Sequence, residues 1–341
     1  MKKSLKKISL LLLFLFGVVS FTTYFPNTPI YFEVPKKWPK PIYDFSKNKI
    51  TNEGFQLGRK LFYDPILSKD STISCASCHL QQTGFAHVDH ELSHGIAGRI
   101  GTRNALTLQN LAWSTSFMYD GAITNLEMQP LAPIVNHDEM DENFPHVVAK
   151  LNQNEVYKSL FYKAFQTNKI TGQLTLKAIA QFIVSLKTTN SKYDKVVNNE
   201  EQFSEMEQKG YNIFKKHCNT CHKEPLFSSN EFKNNGLSVD ITLNDYGRMR
   251  ITNNPKDSLL FKVPTLRNIE FTFPYMHDGR FKNLNQVIKH YNSGIVFSKT
   301  LSEELQQPLN LSDNERVELV AFLKTLTDKE FLFNKRFSFS N

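Results

Sequence analysis

The chain has 341 residues, 40% of them hydrophobic and 22% charged, with a formal net charge of +8. That length suits two domains of ordinary size, and that composition excludes a disordered or low-complexity chain. Lys2, Lys3, Lys6 and Lys7 supply four of the positive charges at the extreme N-terminus; the rest is only mildly basic, which is no nucleic-acid signal and serves at most docking to an acidic partner.

The lysine cluster runs into an apolar stretch from Ile8 to about Phe21. Basic then apolar is the pattern of a signal peptide or a single N-terminal anchor, assigned to residues 1–25. No small-x-small cleavage site precedes Pro29 and there is no lipobox cysteine, so export is expected and cleavage stays open. Residues 26–49, rich in proline and lysine around "TPIYFEVPKKWPKPIYDF", read as an extended linker.

Phe55, Leu57, Leu61 and Phe62 then recur at near-helical spacing until Pro65. The segment "STISCASCHLQQTGF" follows, and with it Cys75, Cys78 and His79. Further on, "LTLKAIAQFIVSLKT" (174–188) puts Leu176, Ile179, Ala180, Ile183 and Leu186 on one helix face. A polar stretch, 188–201, marks a boundary between residues 50–190 and 191–330. The helix predicted over "SEMEQKGYNIFKKHC" leads into Cys218, Cys221 and His222. Ser312 and Glu315, at capping-box spacing, open a last helix in "LSDNERVELVAFLKTL". The C-terminal tail is expected to pack back on the first domain.

These four cysteines are all the chain has, and each pair is C-x-x-C followed at once by histidine, the signature of covalent c-type haem attachment. Two thiols reach the two vinyl groups on one porphyrin edge, and the adjacent imidazole turns onto the iron. A disulfide framework is unnecessary in a chain long enough to bury its own core. A four-cysteine zinc site would leave both histidines as coincidence, and a thioredoxin-like pair expects a βαβ context that is missing. The propionates of two haems would lower the net charge further. The fold expected is mainly α, two cytochrome c-like haem domains with long loops and little β structure, suggestive of a duplicated unit.

Over roughly residues 50–330 the ordered motifs "LGRKLFYDPILSKDSTISCASCH", "GTRNALTLQNLAW", "MYDG", "PLAPI", "KHCNTCH", "VPTLRNIEFTFPYMHDGRF" and "LVAFLKTLT" resemble the bacterial dihaem cytochrome c peroxidases, including the related MauG enzymes. The resemblance implies a peroxidatic N-terminal haem ligated by His79, with Glu139 and Gln129 as the acid–base and orienting groups and Pro133 as a pocket wall. Read alone, Glu139 would be a solvated carboxylate in an acidic turn. A loop histidine caps the resting iron in many such enzymes; His94 occupies the approximate place, with His87 and His90 as competitors. His222 would ligate the second haem. Where many relatives use a methionine as its other ligand, counting from "PYMHDG" gives Tyr291, the MauG pattern; His290 and Met276 are the alternatives. Tyr119 stands where an inter-haem tryptophan is usual, while Trp113 reads as core. A calcium ion between the domains would use Asn104, Thr272 and Pro274.

The resemblance thus implies an exported, periplasmic enzyme that reduces hydrogen peroxide to water with electrons from a small cytochrome c or cupredoxin, without nucleic acid and with homodimerisation open. Two other readings remain open at this point: a MauG-like oxidase that modifies residues of a partner protein, and a non-enzymatic dihaem electron carrier with both irons fully ligated.

Overall fold

Side-chain caps open most of the longer helices, and the sequence marks them. Thr51 accepts from Gly54 N at the start of α1 (Asn52–Tyr63), and Ser204 and Ser312 form reciprocal capping boxes with Glu207 and Glu315, satisfying N–H groups that a helix start leaves orphaned. A computed structural model describes residues 29–339; the leader expected over residues 1–25 lies outside the described residues. After α1 come α2 (Cys75–Cys78), α3 (Leu131–Val135), α4 (Phe144–Gln153), α5 (Glu155–Phe165), α6 (Gly172–Val184), α7 (Lys192–Val197), α8 (Glu205–His217), α9 (Met249–Thr252), α10 (Leu284–Lys289), α11 (Asp313–Lys324) and α12 (Lys329–Leu332). The described β-sheet is one antiparallel pair, β1 (Phe232–Lys233) with β2 (Phe261–Lys262). The fold is therefore mainly helical with long loops, as the sequence indicates. Among the described residues no helix is long and apolar enough to cross a membrane.

The predicted helix over 174–188 stops at Val184, yet Leu186 beyond it is still fully buried. The polar stretch 188–201 is not featureless: it holds α7, capped by a Ser191–Asp194 box, with Tyr193 and Asp194 buried. Residues 30–45, expected as a linker, carry no helix and lie against the first core through Phe32, Trp38, Tyr43 and Phe45.

Two hydrophobic clusters organise the molecule. The first gathers Phe55, Leu57, Leu61 and Phe62 of α1 with Ile179, Phe182 and Ile183 of α6. The second gathers Phe214 of α8 with Leu319, Phe322 and Leu323 of α11. Both helix pairs cross at a glycine. A Cβ on Gly58 would lie 2.0 Å from the Ala178 carbonyl oxygen, and one on Gly210 would lie 1.9 Å from that of Glu318, so only glycine lets these backbones meet. The loops repeat too: Phe85 and Phe227, Asn110 and Asn268, and Met118 and Met276 all take left-handed backbone conformations at matching places. The tail closes the first cluster, not the second, with Phe331, Leu332 and Phe337 buried in it.

Charged side chains stitch the halves together. Arg103 grips Asp245 through Nε and Nη2, at 2.6 and 2.9 Å, and Asp120 through Nη1 at 2.6 Å. Fully buried Arg267 makes a bidentate pair with Asp194, at 2.7 and 2.8 Å, donates to the Pro225 carbonyl, and lies 4.6 Å from the Trp38 ring centroid. Burial alone would raise the Asp194 carboxyl, but the Arg267 guanidinium and Ser191 outweigh it and hold it below the usual carboxylate range. Removing one member of such a pair leaves a buried charge uncompensated.

Asp194→Asn should therefore destabilise the folded protein by about 3–5 kcal/mol in denaturant unfolding. Asp194 contributes its stability fully above the unfolded carboxylate pKa of about 3.9 and loses it as pH falls through its lower folded value. The acid limb of the stability–pH curve should accordingly flatten in the variant; an unchanged limb would show that the pair contributes nothing.

Candidate haem centres

Each C-x-x-C-H is delivered by a helix end. Cys75–Cys78 form the single turn α2 behind Ser74, and His79 terminates it. In the second half α8 runs straight into Cys218, so its tether continues a long helix. The histidine after each is oriented by backbone. His79 Nδ1 lies 2.8 Å from the Phe85 carbonyl oxygen, and His222 Nδ1 lies 3.1 Å from that of Pro264 and 3.3 Å from that of Phe227. An imidazole that donates from Nδ1 keeps its Nε2 lone pair for a metal. Burial lowers both histidines to about 4, so both are neutral at pH 7, as ligation requires.

No disulfide joins any of the four cysteines. Burial is the chief influence on them, and it pushes Cys75 and Cys218 to about 12 and Cys78 to about 11. Poised thiolates are therefore absent from these three positions, and among the described residues no cluster of three or more His, Cys, Asp or Glu could hold a metal. The zinc and thioredoxin readings lose their chemistry. Instead each tether opens on its own cavity, of about 470 Å³ beside His79 and about 240 Å³ beside His222. A neutral imidazole with a free Nε2, two adjacent thiols and a neighbouring cavity together fit a covalently bound haem in each half.

The first cavity is lined by Gln129, Pro133, Asn136 and Glu139. Burial raises the Glu139 carboxyl above its ordinary value, against the Asn136 amide, which donates to its Oε1 at 2.9 Å. The Glu139 carbonyl is fixed by Ile96 N at 2.8 Å. Gln129 has only a weak contact from Nε2 to Met118 Sδ, at 3.9 Å, which leaves its amide available to a ligand. His94 stands apart: its ring stacks on His90 at 4.0 Å, and His90 stacks on His87 at 5.1 Å. None of the three lines the cavity, although the His94 carbonyl lies 3.5 Å from Cys78 Sγ.

The second cavity is lined by Met276 and Tyr291. Tyr291 lies in a π-helical turn, His290–Gly294, that continues α10; such turns add a residue and re-aim side chains. His290 falls on the other side, with Nε2 2.9 Å from the Asn235 carbonyl oxygen and no part in the cavity wall. The Asn235 amide donates to Met276 Sδ at 3.3 Å. Burial pushes the Tyr291 phenol up to about 12, against a lowering by Asn235.

The two cavities share a wall. Asn104, Thr107, Tyr119, Lys262 and Thr265 line both. Tyr119 is thus placed between the tethers, with burial keeping its phenol protonated and its hydroxyl 3.4 Å from the Met276 carbonyl oxygen. Trp113 is core, its Nε1 donating to the Pro39 carbonyl at 2.8 Å. Asn104 and the Pro274 carbonyl meet at 2.7 Å, and Thr272 and Pro274 line the second cavity. Sequence reasoning missed Asn136, Asn235 and Lys262. Only Asn136 left a trace, three residues before Glu139; the other two reach the cavities through folding alone.

Residues 52–202 match the family model described as di-haem cytochrome c peroxidase. The chain is 32% identical to the methylamine utilization protein MauG of Methylophilus methylotrophus, over 86% of this chain and 87% of that one. It is 35% identical to the cytochrome c551 peroxidase of Nitrosomonas europaea, over 80% and 79%. A crystal structure of a MauG-like protein associated with microbial copper homeostasis superposes with a TM-score of 0.82 at 32% identity, covering 91% of this chain and 99% of that one.

Tyr291→Phe should change the visible spectrum and raise the midpoint potential of the second haem, while His290→Gln should leave both in place. A spectroelectrochemical titration decides; the opposite pattern would transfer the ligand role to His290.

Proposed function

The chain belongs to the di-haem cytochrome c peroxidase family, and from that membership we propose that it is an exported peroxidase which reduces hydrogen peroxide to water at its first haem. The observation that carries this reading is the asymmetry of the cavities. The first offers a raised carboxyl and a free amide, Glu139 and Gln129, beside His79, with Met118 and Tyr119 also in its wall. The second is lined by Tyr291 and Met276, groups that can ligate, and its carboxylate, Glu304, is tied up in an ion pair with Lys233.

When bound, the haems supply the iron that reduces the O–O bond and a store for the second electron. The overall balance is one peroxide, two protons and two electrons to two waters, the electrons coming one at a time from a small cytochrome c or cupredoxin. Gln129 orients peroxide by hydrogen bonding. Glu139 moves a proton from one peroxide oxygen to the other, and burial brings its proton affinity toward neutrality, where such a relay works best. Asn136 holds the Glu139 carboxyl while this happens. Tyr119 bridges the two cavities as the path for the electron. His94 would act as a resting-state cap only after leaving the His90 stack. The same reading gives a calcium ion to the Asn104 amide oxygen with the Thr272 and Pro274 carbonyls, oxygen donors of the kind calcium takes. Haem attachment of this type takes place outside the bacterial cytoplasm, which supports a periplasmic location for the folded protein.

One observation favours a second reading. Tyr291 in the second cavity follows the MauG pattern, and the MauG relative and the MauG-like structure cover most of this chain. In that reading peroxide equivalents oxidise residues of a partner protein.

The deciding experiment is peroxide-dependent oxidation of a reduced small cytochrome c by the haem-loaded protein, with and without pre-reduction. Turnover supports the peroxidase. No turnover, with rapid spectral change on peroxide alone, supports the oxidase. Within the first outcome Glu139→Gln should slow turnover by roughly 10²–10⁴-fold with haem content intact; full activity in the variant would remove Glu139 from the mechanism.

A further inference from the structure

Lys262 is the cation in the wall common to both cavities. It sits on β2 opposite Phe232, with its backbone N–H donating to the Tyr119 carbonyl at 2.7 Å. Protein encloses its side chain, and burial alone pulls the ammonium down to about 8; no carboxylate acts on it. The surface it retains opens into the cavities.

A charge withdrawn from water needs a partner. The other lysines and arginines of these walls have one. Arg103 holds Asp120 and Asp245, Lys233 holds Glu304 at 2.7 Å, and Arg250 stands 3.7 Å from Asp245. Among the described residues Lys262 Nζ has neither ion pair nor hydrogen bond.

A haem brings two carboxylates into its cavity, on the ring edge away from the vinyl groups that the thiols capture. Glu139 is the charged residue that acts on Cys75 and Cys78, and Lys223, Lys233, Glu231 and Glu304 act on Cys221. Lys262 is not among the charges that act on the cysteines, and it lies in the wall that the two cavities share. We propose that Lys262 is the shared counter-charge for the propionate carboxylates of both haems, and that it biases both irons toward the reduced state. A ferrous haem carries one more negative charge than a ferric one, so a fixed cation in a low-dielectric wall favours it. This inference rests on two tethered haems and not on the reaction they serve.

The test is spectroelectrochemical titration of both haems in the holoprotein, after haem content has been confirmed by pyridine haemochrome assay. Lys262→Met should weaken reduction of each haem on the order of tenfold, a fall of about 59 mV for a one-electron couple. Lys262→Arg should restore both midpoints to near the wild-type values. Lys262→Gln serves if the methionine variant loads poorly. A packing role would change unfolding and leave the midpoints alone. Two unmoved midpoints would overturn the proposal, and movement of one alone would overturn the sharing.

Discussion

A ring held through two thioether bonds leaves its histidine no search to make: the imidazole must already face the iron with the correct nitrogen. The hydrogen bond from Nδ1 to a backbone carbonyl meets that demand in both halves, at Phe85 for His79 and at Pro264 and Phe227 for His222. Phe85 and Phe227 both take left-handed backbone, which an aromatic residue adopts only under constraint. Each ring is anchored in a core of further aromatics, Phe62 and Phe182 around Phe85, and Phe214 and Phe322 around Phe227. The hydrophobic clusters thus do more than stabilise. They fix two carbonyl oxygens, and those fix two metal ligands.

On that repeated frame the halves diverge only where the cavities open. Both use a glycine crossing, a capped leading helix and matched loop turns. The first half then adds the segment carrying Gln129 and Glu139, whereas the second adds the π-helical turn carrying Tyr291. Between them, Tyr119 lines both cavities. Its hydroxyl faces a peptide carbonyl, which accepts a hydrogen bond but no proton. Tyrosine oxidised there would have nowhere to send its proton, so the residue suits an electron crossing in one step better than one that stops on the ring.

Much of this architecture was legible in the chain. Phe55, Leu57, Leu61 and Phe62 read as one helix face and are all fully buried. The Ser312–Glu315 box predicted the start of α11 to the residue. The haem tethers were legible because two cysteines and a histidine at fixed spacing point to one chemistry. What stayed hidden depends on backbone irregularity or on long-range burial. Tyr291 and His290 are adjacent, and no residue pattern announces a π-turn; only the fold shows which of them reaches the cavity. Arg267 and Lys262 look like ordinary surface cations in sequence. One is fully buried against Asp194 and the other opens into both cavities, because segments more than seventy residues away close over them. The loop 87–94 offers three histidines in sequence, and only the fold shows that they stack on one another.

The tail has a consequence for how the protein is made. Gln81 donates to the Asn334 carbonyl, Arg59 to that of Arg336 and Tyr63 to that of Phe337, and Phe331 packs against Phe85. The residue whose carbonyl orients His79 is therefore walled in by a segment that follows much later in the chain, Asn334 standing 253 residues after Gln81. A chain threaded outward from its N-terminus presents the second tether with its helix pair nearly whole, while the first still lacks a side of its core. Maturation order then runs against chain order: the first C-x-x-C-H to emerge is the later one to gain a finished pocket, and a nascent chain cut short near residue 330 loses the half that was made first.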